Sequence, residues 1–141
     1  MIQRNASAQW NGDLKAGNGS IRLGSGAFEG KYSFGTRFEG APGTNPEELL
    51  GAAHAGCFSM AMSLGLAQAG HTPVRIHTTA TVRMDRVNEK MTIVGIDLVT
   101  EAEVPGIPPE VFQQVAAATK DGCIVSRALA SVSMTLVATL K

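Results

Sequence analysis
An α+β fold, with largely antiparallel sheets packed around one long central helix, is what this sequence predicts. Three observations lead there. From Leu49 to Gly70 the chain reads LLGAAHAGCFSMAMSLGLAQAG, without a single Lys, Arg, Asp or Glu. Residues 75–86 and 91–104 alternate with period two and are rich in β-branched side chains, as half-buried strands do. Runs of strands are separated by helical stretches, which favours α+β with largely antiparallel sheets.

Taken in order, residues 5–11 (NASAQWN), 19–23 (GSIRL) and 32–38 (YSFGTRF) read as strands. Glycines at 17, 19, 24, 26 and 30 mark the turns around them. PGTNPEELL then starts a helix: Asn45 suits the cap, Pro46 the first helical position, and Glu48 the carboxylate place of a capping box. Gly70 and the Thr72-Pro73 pair stop it, so the helix runs from about Pro46 to Ala69, roughly 36 Å. Val87-Asn88-Glu89-Lys90 joins the two alternating segments as a hairpin. A second helix runs from about Pro109 to Lys120, with Gly122 as its terminator. Cys123 opens CIVSRALA as a short helix, and SVSMTLVATL closes the chain as a strand. No repeat or linker interrupts the order, so residues 1–141 are expected to form one domain. A long helix without charge is hard to cover within one small domain. A homodimer that buries it at its centre is the expected remedy.

Composition narrows the function classes. Lys plus Arg equals Asp plus Glu, 12 against 12, so no basic surplus points to nucleic acid or to an anionic membrane. The opening MIQRNASAQWNGD holds no apolar stretch of the secretory kind, so a cytoplasmic protein with reduced cysteines is expected. The uncharged stretch has the length of a membrane span. Its Gly, Ala and Ser content, with His54 and Gln68, fits a helix buried on all sides better, and no membrane partner is expected.

The chemistry centres on two cysteines. Cys57 lies mid-helix, where a thiol is inert packing unless something stabilises its thiolate and something else resolves its oxidised form. Phe58, Met60 and Met62 beside it fit a core or an apolar wall for a hydrophobic substrate. Cys123 follows Asp121-Gly122 at a helix start, where backbone N–H groups favour a thiolate. The spacing matches neither a CxxC exchange motif nor a zinc site. A buried Cys57 with an accessible Cys123 fits a peroxidatic and resolving pair, with packing as the alternative.

Arg37 lies between Phe34 and Phe38; it is a surface arginine paired with Glu39, or a guanidinium turned toward Cys57 to lower its pKa and bind a peroxide oxygen. In the second case it needs a carboxylate, which Glu47 at the start of the long helix can supply; the plainer role of Glu47 is to complement the helix dipole. Glu47 and Cys57 stand about 15 Å apart along one helix, so they are not expected to meet within it; if the long helices of two subunits pack antiparallel, Glu47 of one chain approaches Cys57 of the other. His54 is one turn before Cys57. A Cys–His pair suggests acyl transfer or thioester hydrolysis, whereas a neutral, hydrogen-bonded interior histidine is the plainer reading. His71 and His77 read as structural, and Met84, Met91 and Met134 as core. A non-catalytic dimer binding an apolar ligand is the remaining alternative.

These motifs together resemble the osmotically inducible protein C (OsmC) family of the OsmC/organic hydroperoxide resistance superfamily. The resemblance rests on AQWNGDLKAGNGS, FGTRFEGAPGTNPEELLGAAHAGCFSMAMS, VPGI at 104–107 and DGCIVSRAL, and covers nearly the whole chain. It implies an intertwined α+β homodimer with its long helices between sheets built from both chains. It implies a thiol peroxidase acting on organic hydroperoxides, with Cys57 as peroxidatic cysteine, Cys123 as resolving cysteine, and Arg37 and Glu47 supporting the thiolate. The product of resolution is a Cys57–Cys123 disulfide, restored by an external dithiol such as a lipoyl-bearing protein, without metal, flavin or haem. Phe38, Phe58, Met60 and Met62 are expected to line the substrate entrance. One departure from the pattern is Ile124, where the family leads us to expect Pro and a stiffer turn.

Overall fold
The computed structural model describes residues 1–141, which form two compact units, Met1–Leu49 and Leu50–Lys141. The first unit begins with strands β1 (Ala6–Asn11), β2 (Asn18–Leu23) and β3 (Glu29–Tyr32) in an antiparallel meander. Trp10 lies across from Gly19, and Gly19 across from Tyr32. With no side chain between them, the two rings close over the glycine, 5.2 Å between centroids and tilted by 57°. A Cβ on Gly19 would sit 2.6 Å from the Tyr32 ring, so this pairing requires glycine.

The expected strand over 32–38 is corrected here. Only Tyr32 belongs to a strand; Phe34–Phe38 form a short helix, α1. Its start is a reciprocal cap: Ser33 Oγ accepts from the Thr36 N–H at 3.2 Å, and Thr36 Oγ1 accepts from the Ser33 N–H at 2.9 Å. Alternating aromatics in YSFGTRF imitate a strand, but two satisfied backbone donors decide for the helix.

Helix α2 (Pro46–Gln68) starts in the first unit and runs through the second. Asn45 caps it, its Oδ1 accepting from the Glu48 N–H at 2.8 Å. It ends where Gly70 adopts φ +87° and the His71 N–H reaches back to Leu66 O at 2.9 Å. His54, Phe58, Met62 and Leu66 are fully buried. Ala52, Gly56, Met60 and Leu64, two residues out of phase and so on the opposite face, are exposed. In this chain the helix is therefore covered on one side, not all round. Both faces are apolar, which is why the sequence shows no contrast between them. It is also the one helix long and apolar enough, by length and composition, to cross a membrane.

The second unit carries β4 (Arg75–Val87) and β5 (Lys90–Glu103), an antiparallel hairpin turned by Asn88 and Glu89, both with positive φ. β6 (Met134–Leu140) joins β5 in parallel, so this sheet is mixed rather than wholly antiparallel. The crossover is made by α3 (Pro109–Gly122) and α4 (Ile124–Ala128). Alternate residues of β5 (Ile96, Leu98, Thr100, Ala102) face the core with Phe58, Met62 and Leu66 of α2 and Phe112 and Ala116 of α3. The Thr100 hydroxyl is satisfied by Thr78 Oγ1 at 2.9 Å, which Ser59 of α2 also reaches, at 2.8 Å. Met84 and Met134 are half-buried, but Met91 is 51% exposed and not core, because it lies beside the hairpin turn.

Candidate active site
Two elements of the second unit bring the cysteines together. Cys57 projects from the middle of α2. Cys123 occupies the break between α3 and α4 with extended backbone, its N–H closing α3 on Thr119 O at 3.0 Å and its sulfur capping α4. The two sulfurs are 3.2 Å apart and both cysteines are free. A disulfide has its sulfurs about 2.05 Å apart, so only a small side-chain shift separates this pair from a bond. The expected accessibilities are reversed: Cys57 is half-buried, whereas Cys123 is 2% exposed. The loop that carries Cys123 tucks its side chain under α4 and leaves Ile124, the next residue, 77% exposed.

The thiols also differ in their readiness to ionise. Burial pushes the Cys57 thiol up; the N–H groups of Val125 and Ile124 offset this only in part, and the neighbouring Cys123 adds to the rise. Burial works against the Cys123 thiolate too, but hydrogen bonds from the Ser126 side chain and N–H, from Cys57 and from the Val125 N–H outweigh it. The Cys123 thiol therefore lies below its ordinary value. The surroundings thus favour ionisation of Cys123 over Cys57.

A second chemical centre lies in the first unit. Arg37 of α1 grips Glu47 in the first turn of α2: Nη2 donates to Oε1 at 2.6 Å and Nε to both carboxylate oxygens at 3.2 Å. Glu47 is buried and Arg37 partly exposed, so the ion pair has a free side. The alternative partner, Glu39, is not engaged by Arg37. The guanidinium also lies 5.2 Å from the Phe38 ring. Around it is a cavity of about 230 Å³ lined by Trp10, Leu14, Tyr32, Ser33, Phe34, Arg37 and Phe38.

Of the four residues expected at the substrate entrance, Phe38 lines this cavity. Phe58 and Met62 are fully buried in the core and present no surface in this chain, because the four-residue period that includes them faces β5. Met60 is 78% exposed on the far side of α2. His54 bonds neither cysteine; its Nε2 lies 2.7 Å from Ser126 Oγ. Sequence reasoning missed Ser126 altogether, though its place three residues after the Cys123 cap was the available signal. It also missed Trp10, Leu14 and Tyr32, which only the meander brings beside Arg37. No group of three or more His, Cys, Asp or Glu suited to a metal ion is present.

The comparisons agree with this architecture. Residues 38–137 match the family described as OsmC-like protein. The chain is 49% identical over 129 residues to the protein named peroxiredoxin OsmC in Escherichia coli K12, covering 91% of this chain and 90% of that one. The protein of the same name in Shigella flexneri matches to the same extent. Among solved structures, the organic hydroperoxide resistance protein OhrB of Bacillus subtilis superposes with a TM-score of 0.73 at 21% identity, covering 97% and 98% of the two chains. An OsmC-like protein of Mycoplasma pneumoniae gives 0.75 at 14% identity, covering 99% and 97%. The last two speak for the fold, and the sequence matches settle the lineage: this chain belongs to the OsmC family.

Proposed function
We propose that this OsmC-family peroxidase reduces organic hydroperoxides with its two cysteines, and that its two units act together as one catalytic domain. The observation that carries the reading is the pair of free sulfurs 3.2 Å apart, one of them half-exposed. The Cys57 thiolate attacks the distal peroxide oxygen. The O–O bond breaks, and the departing alkoxide takes a proton and leaves as the alcohol. Cys57 is then a sulfenic acid. The Cys123 thiolate attacks its sulfur, the S–O bond breaks, and hydroxide leaves as water. An external dithiol reduces the resulting disulfide in two exchange steps and is itself oxidised. A lipoyl-bearing protein is the proposed class of reductant, and the reducing cytoplasm the compartment.

Cys57 needs a cation, because its own surroundings hold the proton on it. Arg37, fixed by Glu47, is the proposed source, supplied across a homodimer in which the uncovered stripe of α2 packs on its copy. The apolar stripe of Ala52, Gly56, Met60 and Leu64 supports that contact. The aromatic cavity beside Arg37 supports a preference for alkyl or aryl peroxides over hydrogen peroxide. The test is peroxide consumption with a dithiol reductant. Cumene hydroperoxide should be turned over faster than hydrogen peroxide by tenfold or more, and equal rates would remove the assigned role of the cavity.

A further inference from the structure
The two-cysteine chemistry leaves one buried cluster unused. His54 of α2 is fully buried, and its Nε2 lies 2.7 Å from Ser126 Oγ of α4, itself 4% exposed. Its Nδ1 is buried without a hydrogen-bond partner. That asymmetry assigns the tautomer. A buried N–H left without an acceptor is rarer than an under-used lone pair, so the proton belongs on Nε2 and points at Ser126. The Ser126 oxygen is then an acceptor toward His54, and its own hydrogen is free to point elsewhere. The Ser126 backbone N–H donates to Cys123 Sγ at 3.4 Å, so the residue that takes the His54 contact also caps that sulfur, and the Ser126 side chain contributes to the lowered Cys123 thiol.

We propose that His54 and Ser126 are positioning residues for the second thiol: His54 donates from Nε2 to the Ser126 hydroxyl, which donates to Cys123 Sγ and holds it as the thiolate that resolves oxidised Cys57. The inference rests on the two-cysteine reading and adds a relay to it. Resolution joins Cys123 sulfur to Cys57 sulfur and breaks the Cys57 S–O bond. The proton lost earlier by Cys123 and the hydroxide leaving Cys57 together make water, so no further oxidant or reductant enters. Burial lowers the pKa of His54, so it works as a neutral donor and not as a cation. The low position of Cys123 agrees, since a hydrogen bond to the charged form favours that form. The titratable groups facing Cys123 are Cys57 from α2 and, through Ser126, His54. Lys120 and Asp121 at the end of α3 pair with each other at 3.6 Å.

The test titrates Cys123 alone, in full-length protein carrying Cys57→Ser, by thiolate absorbance across pH. Adding Ser126→Ala should lower the thiolate fraction at pH 7 about tenfold, and His54→Gln should act in the same direction. Ser126→Thr, which keeps the hydroxyl, should restore most of it. A structural role alone would not be rescued in this way. With both cysteines present, dimedone trapping should show Cys57 sulfenic acid persisting about tenfold longer in Ser126→Ala at pH 7, and recovery at pH 9. Should His54→Gln not fold, the one-oxygen change Ser126→Ala carries the test. An unchanged Cys123 titration in folded Ser126→Ala overturns the relay. If the titration moves as expected but oxidised wild type forms no Cys57–Cys123 disulfide, the relay stands and the two-cysteine reading falls.

Discussion
Arg37, Glu47, Cys57 and Cys123 are legible one by one in the sequence, because each is a reactive residue type at a helix start or within an uncharged run. What the sequence conceals is their surroundings. Cys57 was expected to be the buried thiol, yet it is the more open and the less acidic of the two. Cys57→Ser should reduce turnover of an organic hydroperoxide by more than about a hundredfold, since Cys57 is the nucleophile of the proposed mechanism. Cys123→Ser should stop after about one equivalent of peroxide unless a small thiol replaces the resolving step. Arg37→Lys should fall about tenfold or more, because an ammonium is one point charge where the guanidinium binds both oxygens of Glu47 and keeps a free face. Steady-state peroxide consumption measures all three. Wild-type rates in Arg37→Lys would show that charge alone suffices.

At the scale of elements, period and caps decided what was readable. The long helix, the hairpin and the helix after Pro108 follow from uncharged length, period-two alternation and stop signals. The segment 32–38 misled because its aromatics alternate like a strand, while the deciding interaction is a Ser33–Thr36 cap between two small side chains. Ser33→Ala should cost about 1 kcal/mol of stability in urea denaturation, with an unchanged midpoint counting against the cap. The contact between His54 and Ser126 was not legible, since it depends on how α4 docks against α2. It leaves a pH signature. The folded pKa of His54 is depressed by burial, so its contribution is full above about pH 6.5 and is lost as pH falls through the folded value. The unfolded chain then takes a proton that the folded one refuses. Thermal unfolding of the wild type should therefore weaken below about pH 6.5, and His54→Gln should flatten that slope.

For the whole molecule, the open face of α2 is the feature with the largest consequence. An apolar stripe including Met60 at 78% and Leu64 at 61% exposure is costly to leave in water, and in the proposed homodimer a second copy of the same stripe would cover it symmetrically. If the proposed homodimer forms, Leu64→Glu should convert it to a monomer in light scattering and remove most turnover, because the proposed delivery of Arg37 across the interface would be lost. A fully active monomer would separate catalysis from assembly. The most direct measurement is peptide mapping by mass spectrometry, under non-reducing conditions, of protein treated with one equivalent of cumene hydroperoxide. A Cys57–Cys123 bond within one chain, formed in proportion to peroxide consumed and reversed by a dithiol, is the expected result. Peroxide consumed while both thiols stay free, or Cys57 carried on to sulfinic acid with Cys123 untouched, would contradict a peroxidase built on these two sulfurs.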